Sequence, residues 1–248
     1  MSGGLMTNLE DLRIRLDQMS ERIVSRLKDR SRLPSNPPVY IPDAVPIENR
    51  SGISFLKFAI EGLEVYHASL GRYEYSDQHP ILGVSLPKSS ITRIGTTTEL
   101  SREEIKYGDT MLAFYNTIPP ELCQNGNEPK TYGETVYIDA DLIELMHERI
   151  NTIGRYVAQS KFDTNPNILK TVGDDVLIRE ALRNVKREDS VVEQAKETSA
   201  KYNLDPKITE RVFRWLIKET VNVEVSYLKC LARSDPNTTT KTKILTKS

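Results

Sequence analysis

Polar side chains lie inside the apolar stripes of four stretches with helical periodicity, and these are the residues that could do chemistry. Near the C-terminus, Thr220 and Glu224 are one turn apart on a face that also carries Phe213 and Leu228. A bare carboxylate on such a face costs several kcal/mol unless it is paired or protonated. The pattern therefore indicates that Glu224 has a partner or a proton in the folded protein.

Three other stretches repeat this pattern of charged or amide residues on or beside an apolar face. The residues are Arg13, Arg149, Lys161, Asn184 and Glu188. Helical bundles build ligand sites from side chains on facing helices, and arginine grips a carboxylate through two parallel hydrogen bonds. The set therefore predicts a pocket for a small dianion.

Each of these residues, taken alone, has a structural alternative. A charged residue in a stripe is more often an ion pair or a side chain whose charged end reaches solvent. Glu188 could pair with Lys186 or Lys196 on the surface, and Arg149 could form an ion pair in the core. Periodicity by itself leaves this choice open and names no ligand.

The composition is that of an ordinary globular protein with balanced charge. The 248 residues include 34 Lys and Arg against 35 Asp and Glu. Such a chain has no global field to attract nucleic acid or an acidic membrane surface, and no apolar run approaches the roughly 20 residues of a membrane span. We therefore expect neither kind of partner. The first residues carry no signal-peptide pattern, so we expect a cytoplasmic protein, with a secreted mature form as the alternative.

The periodicity predicts an all-α, multi-helix bundle in one domain. Its helices are expected over about 8–32, 54–69, 101–115, 139–162, 175–202 and 207–231, with a short helical piece near 167–171. Prolines indicate an extended connector at 33–50, and a polar loop is expected at 118–138. The domain should span 8–231, with disordered ends at 1–7 and 232–248.

Metal or cofactor chemistry is not indicated. The sequence has three histidines, and His147-Glu148 is followed by Asn151 where a zinc-protease motif has its second histidine. Cys123 and Cys230 form no CxxC pair and are expected to be buried free thiols. We therefore expect neither a metal nor a cofactor.

Several segments resemble the fungal and plant chorismate mutases, in an order and spacing that cover roughly residues 8–231. They are Asn8–Arg13, Asn36–Tyr40, Gly71–Pro80, Tyr132–Gly133, Val157–Phe162 and Thr220–Leu228. The resemblance implies an all-helical, homodimeric isomerase of the shikimate pathway. It would convert chorismate to prephenate, towards phenylalanine and tyrosine, without a cofactor.

The resemblance gives the three cations distinct roles. Arg13 and Arg149 would hold the substrate carboxylates, and Lys161 would contact the ether oxygen. Between Arg149 and Lys161 the chain has one residue more than the family pattern. At about 100° per residue, a spacing of 12 places the two side chains roughly 120° apart, whereas 11 gives roughly 20°. We therefore predict a π-bulge near Thr152–Gly154 that returns both to one face.

The resemblance also assigns the four remaining site residues. Asn184 and Glu188 would contact the carboxylate and hydroxyl side of the ligand. Thr220 and Glu224 form the pair on the last helix, where protonated Glu224 would also donate to the ether oxygen. Burial should raise the pKa of Glu224, while nearby Lys161 should lower it.

Regulation is expected to be weak or absent. The family often binds aromatic amino acids at a dimer interface near Arg72 and Gly133. In this chain Gly71 replaces a second arginine found in some members, and Glu134 stands where a small hydroxyl residue is common. A carboxylate at that position would repel the carboxylate of an effector.

Two other functions stay as alternatives. The first is a catalytically silent or secreted protein of the same fold that acts by binding a partner. The second is an enzyme that removes pyruvate from isochorismate. The complete polar set argues against the first, and the chain length and extra helices argue against the second. A plain helical adaptor would not need acids and arginines on buried faces.

Overall fold

Helices account for the regular structure of this chain. The structure is a computed structural model that describes residues 9–75, 77–92, 100 and 107–234. Its α-helices are α1 (Leu9–Ser31), α2 (Phe55–Ser69), α3 (Gly108–Tyr115), α4 (Pro119–Leu122), α5 (Tyr132–His147), α6 (Gly154–Thr164), α7 (Asp175–Leu182), α8 (Val185–Lys201) and α9 (Pro206–Ser234). A π-turn, Glu148–Ile153, joins α5 to α6. Within the described part the β content is one isolated bridge, Ile47 with Arg50, so the predicted all-α class is confirmed.

The last helix is the central packing element of the bundle. It packs against α6, α7, α8 and the π-turn, while α1 packs against α5, α6 and α8. The spacing of apolar residues explains these contacts, since α1 buries Leu12, Met19, Ile23 and Leu27 along one face. The outcome is one helical domain in which α1 and α9 both contact α8. No helix among the described residues has the length and apolarity that crossing a membrane requires.

Several boundaries agree with the sequence. Ser54 caps α2, accepting a hydrogen bond from the backbone N–H of Lys57 at 3.2 Å. The helical piece near 167–171 is a 3-10 turn at Pro166–Thr171. Ser101, where a helix was expected to start, lies outside the described residues, and α3 begins at Gly108 after Tyr107, which has non-helical backbone angles.

The single helix predicted over 175–202 is wrong, because the chain breaks between α7 and α8. Arg183 has extended backbone angles, with φ −79° and ψ 142°. Asn184 then caps α8, accepting from the N–H of Arg187. On α7, Leu177 is half exposed. Ile178 is buried in its place.

The polar loop predicted at 118–138 is also wrong in part. It contains α4, a 3-10 turn at Pro129–Thr131 and the first turns of α5. The helix starts early because its polar residues have buried partners. Thr135 accepts a hydrogen bond from the Asn36 side chain at 2.8 Å, so it needs no solvent.

The Pro-rich connector is held to the core and is not simply extended. It includes a 3-10 turn at Pro37–Tyr40. Fully buried Arg30 and Asp139 form an ion pair at 2.7 Å, and the Tyr40 hydroxyl donates to Asp139 at 2.6 Å. Arg30 also donates to the Ser35 carbonyl at 3.0 Å. These contacts fasten the connector to α1 and α5.

Candidate functional site

A cavity of about 150 Å³ lies between α1, the π-turn and α6, α8 and α9. All seven residues singled out from the sequence line it: Arg13, Arg149, Lys161, Asn184, Glu188, Thr220 and Glu224. Leucines of α1 and valines of α6, α8 and α9 complete the wall. A larger cavity of about 850 Å³, beside α2 and α3, has no arginine among its described lining residues. The residues predicted from the sequence therefore meet at the smaller cavity.

The π-turn is the element that brings Arg149 and Lys161 together. The predicted bulge is confirmed, and it spans Glu148–Ile153. A π-turn adds one residue to a helical turn, so it absorbs the extra residue of this chain. Both cations consequently face the same cavity.

Arg149 is buried, and none of the described residues serves as its counter-ion. Its side chain sits in the core with 3% exposure, and its Nε has no hydrogen-bond partner. No carboxylate of the described residues lies within ion-pair distance of it, while the Phe213 ring lies 5.8 Å from its Cζ. Burial, reinforced by nearby Arg187, lowers the pKa of Arg149 to about 10 despite the attraction of Asp17. A buried, charged guanidinium with unused donors is suited to an anionic ligand.

Lys161 and Glu224 form an ion pair at the other side of the cavity. Lys161 Nζ lies 2.7 Å from Glu224 Oε2 and donates to the Leu182 carbonyl, also at 2.7 Å. Burial raises the pKa of Glu224, the Lys161 charge opposes that rise, and Glu188 adds to it. Both expected effects on the pKa are present, and the effect of burial is the larger. The pair offers an ammonium and a protonatable carboxyl group to one ligand atom.

Asn184 and Glu188 lie on the first turn of α8. Asn184 is exposed and serves as the helix cap, which corrects its expected place on a continuous buried face. The Glu188 side chain is 16% exposed and pairs with Arg183 at 2.6 Å. The surface pairing that the sequence allowed for Glu188 thus involves an arginine, not Lys186 or Lys196.

Thr220 lies where α6 and α9 approach closely. Its hydroxyl donates to the Leu216 carbonyl at 2.8 Å. A Cβ atom added to Gly154 would lie 3.3 Å from Thr220 Cγ2, so a larger residue there would push α6 away from the cavity. Gly154 follows the π-turn directly, and its small size allows α6 to lie this close to α9.

The sequence from residue 131 to residue 225 matches the family model described as chorismate mutase type II. This part of the chain is similar to the type II chorismate mutases. The matched region runs from the start of α5 into α9 and contains six of the seven cavity residues, all except Arg13.

Relatives extend the similarity to most of the chain. The chorismate mutase of Emericella nidulans is 26% identical over 215 residues, which cover 82% of this chain and 80% of that protein. The Saccharomyces cerevisiae enzyme is 25% identical over 242 residues, covering 89% and 94%. The solved Candida albicans chorismate mutase, in complex with L-Trp, has a TM-score of 0.83 at 27% identity and covers 90% of this chain and 91% of that one.

A further structural neighbour is more distant in sequence. The chloroplast chorismate mutase of Zea mays has a TM-score of 0.83 at 19% identity, and the match covers 92% of this chain and 96% of that one. At this identity the likeness shows the fold alone. The fold is the all-helical chorismate mutase fold.

Arg13 differs from the other cations of this cavity. Its side chain is 46% exposed and pairs with Glu10 on its own helix at 3.1 Å. It therefore lies at the mouth of the cavity, whereas Arg149 lies at its buried side. A ligand would have to draw Arg13 away from an exposed partner, which costs little.

Arg187 also lines the cavity, although it was not among the site residues predicted from the sequence. Its Nη2 donates to the two oxygens of Asp17 at 2.7 and 2.8 Å, which ties α8 to α1. A signal was available, because Arg187 follows Asn184 by three residues and so lies one turn further along α8. It is a third guanidinium beside the buried Arg149.

The residues considered for an effector lie outside this cavity. Arg72 forms an ion pair with Glu144, and its Nη2 is 3.8 Å from Glu148. Glu134 lines a different cavity together with Arg26, and Gly133 lies in the first turn of α5.

Titratable residues elsewhere form no metal centre in the described part of the chain. Groups of three or more His, Cys, Asp or Glu side chains that could hold a metal ion are absent there. Cys123 and Cys230 are both buried and free.

Proposed function

We propose that this protein is a chorismate mutase that rearranges chorismate to prephenate in the cavity between α1, α6, α8 and α9. The observation that carries the proposal is Arg149, a buried guanidinium with no counter-ion in the described part of the chain, facing the same cavity as the Lys161–Glu224 pair. A folded protein keeps such a charge only when another requirement offsets its cost. A dicarboxylate substrate supplies that requirement.

The proposed reaction is unimolecular and needs no nucleophile and no cofactor. The protein has to fold a flexible substrate so that the reacting carbons approach each other, which is a task of orientation. Arg13 and Arg149 would hold the two carboxylates. Asn184, Glu188 and Thr220 would contact the remaining polar groups of the ligand.

Charge stabilisation would come from the Lys161–Glu224 pair. As the C–O bond breaks, negative charge grows on the ether oxygen. Lys161 would donate to that oxygen from one side and protonated Glu224 from the other. Donors fixed in advance in a water-poor site stabilise the transition state more than the ground state.

The direct test follows the absorbance of chorismate as it is converted to prephenate by the purified protein. Turnover that is lost in the Arg149 and Lys161 variants supports the proposal. Release of pyruvate from isochorismate, with chorismate unchanged, would favour the lyase alternative. No turnover of either compound would leave a binding protein of this fold.

The pH dependence tests the role of Glu224. If the protonated carboxyl is the donor, kcat/KM should fall by about tenfold per pH unit above its raised pKa. Glu224→Gln keeps a donor at every pH, so its activity should extend to higher pH. The measurement is kcat/KM across pH 5–8.

Glu219→Gln is the control for this experiment. Glu219 is also buried on α9, but it does not line the cavity, so its removal should leave the shape of the pH profile unchanged. A wild-type profile that stays flat, together with a Glu224→Gln profile of the same shape, would contradict the role of Glu224.

Control by aromatic amino acids is proposed to be weak or absent. Arg72 already pairs with Glu144, and Glu134 adds a carboxylate to the other region that the resemblance implicates. We expect tryptophan or tyrosine to change the rate by less than about twofold, below the roughly fivefold lower end of typical allosteric coupling. The measurement is the initial rate at subsaturating chorismate with and without each amino acid, and a several-fold change would refute it.

The assembly and location are also proposals. We propose a homodimer, as the resemblance implies, with a catalytic domain spanning residues 8–231. We propose a cytoplasmic location, supported by a Zea mays relative named as cytosolic that is 24% identical to this chain. Sedimentation of the purified protein would test the dimer.

A further inference from the structure

Arg183 lies in the break between α7 and α8 and holds Glu188 from outside the cavity. Its Nε is 3.3 and 3.2 Å from the two carboxylate oxygens, and its Nη2 donates to Oε2 at 2.6 Å. The Arg183 side chain is 50% exposed, whereas that of Glu188 is 16% exposed. Arg183 does not line the cavity, but Glu188 does.

This contact depends on the helix break. Residues five positions apart on a continuous α-helix point roughly 140° away from each other, because each residue turns the helix by about 100°. The extended backbone of Arg183 removes that constraint and lets its guanidinium reach forward to the first turn of α8. The same break frees the Leu182 carbonyl, which accepts from Lys161.

We propose that Arg183 is a positioning residue for the chorismate site: it fixes the Glu188 carboxylate on the cavity wall and compensates its charge. This inference rests on the proposed function, since it concerns how that site holds a dianion. Without Arg183, Glu188 would be free to turn and would present an uncompensated negative charge to the substrate.

The consequence extends to Glu224 across the cavity. The charged groups around Glu224 are Lys161 in direct contact on α6, Glu188 on α8, and Arg13, Arg149 and Arg187 on the remaining walls. The negative charge of Glu188 already raises the pKa of Glu224. Loss of Arg183 strengthens that effect, so Glu224 should stay protonated to a higher pH.

The experiment compares Arg183→Gln with the wild-type protein. We expect KM for chorismate to rise by about threefold, the size of effect that a half-exposed ion pair supports. The alkaline limb of the kcat profile should move up by a fraction of a pH unit. Arg183→Lys should restore the position of the limb more fully than KM, because lysine returns the charge without the planar fork.

Arg214→Gln is the matched control. Arg214 is 55% exposed and, like Arg183, lines a second cavity on the outer side of Glu188. It pairs with Glu210 and Asp189 instead of Glu188. It should change neither KM nor the pH limb. If Arg183→Gln behaves like Arg214→Gln in both measurements, the proposal is overturned.

A double variant separates positioning from a general effect on folding. In a Glu188→Gln background, Arg183→Gln should no longer move the pH limb, because the charge that it compensates is gone. A shift of equal size in both backgrounds would refute the mechanism.

Nuclear magnetic resonance titration of the Glu224 carboxyl in the free protein gives a readout that needs no turnover. If the wild-type protein fails to convert chorismate, the proposed function fails, whereas an unchanged Glu224 titration in Arg183→Gln defeats this inference.

Discussion

Replacing Lys161 with methionine is expected to lower kcat for chorismate by about 100- to 1,000-fold, the usual cost of removing one donor that stabilises developing charge. Methionine keeps the length of the side chain, so packing against α7 and α9 changes little. The variant loses the ammonium that lies 2.7 Å from Glu224. Circular dichroism and the absorbance assay, run on the same sample, would separate loss of chemistry from loss of fold.

Lys186→Met provides the comparison for this result. Lys186 is exposed on the first turn of α8 and does not line the cavity. The variant should retain wild-type kcat and KM. A Lys161→Met protein that folds normally and keeps more than about a tenth of wild-type kcat would show that the ammonium is not a transition-state donor.

Arg149→Met should separate activity from stability. We expect kcat/KM to fall by about 100- to 1,000-fold, since truncating one partner of a buried charge contact costs this much. We expect the ligand-free protein to become more stable. Below pH 10 the guanidinium is charged in both the folded and the unfolded chain, so its burial penalty, on the order of 3 kcal/mol, is present throughout the neutral range.

Thermal unfolding with and without a dicarboxylate ligand would check both halves of this result. Tm of the ligand-free variant should exceed that of the wild type, and prephenate should raise Tm of the wild type far more than that of the variant. A lower Tm in the ligand-free variant would mean that Arg149 has a stabilising partner and is not held in readiness for an anion. Arg155 is also buried but lies on α6 and does not line the cavity. The Arg155→Met variant should therefore show no ligand-specific difference in Tm.

The sequence predicted the seven site residues because a polar residue on or beside an apolar helical face can be recognised from the spacing of its neighbours. Glu224 and Arg149 stand out when their apolar neighbours are spaced at three and four residues, whatever the tertiary structure. The π-turn was predicted because the resemblance requires Arg149 and Lys161 on one face, whereas helix geometry at the observed spacing would separate them.

The break between α7 and α8 could not be predicted in the same way. No proline or glycine marks it, and Asn184 was interpreted as a face residue when it is a cap. Contacts between distant segments were equally invisible. Arg30 and Asp139 are 109 residues apart, and only the folded chain reveals that they fasten the connector to α1 and α5.

The π-turn constrains how this chain can be compared with its relatives. The resemblance implies a one-residue gap between Arg149 and Lys161 in an alignment with relatives. A gap placed before Arg149 or after Lys161 would put one of the two residues out of register, and the π-turn at Glu148–Ile153 shows where the backbone accommodates the extra residue. Residue similarity scores alone do not distinguish these positions of the gap, so its position has to be taken from the backbone structure.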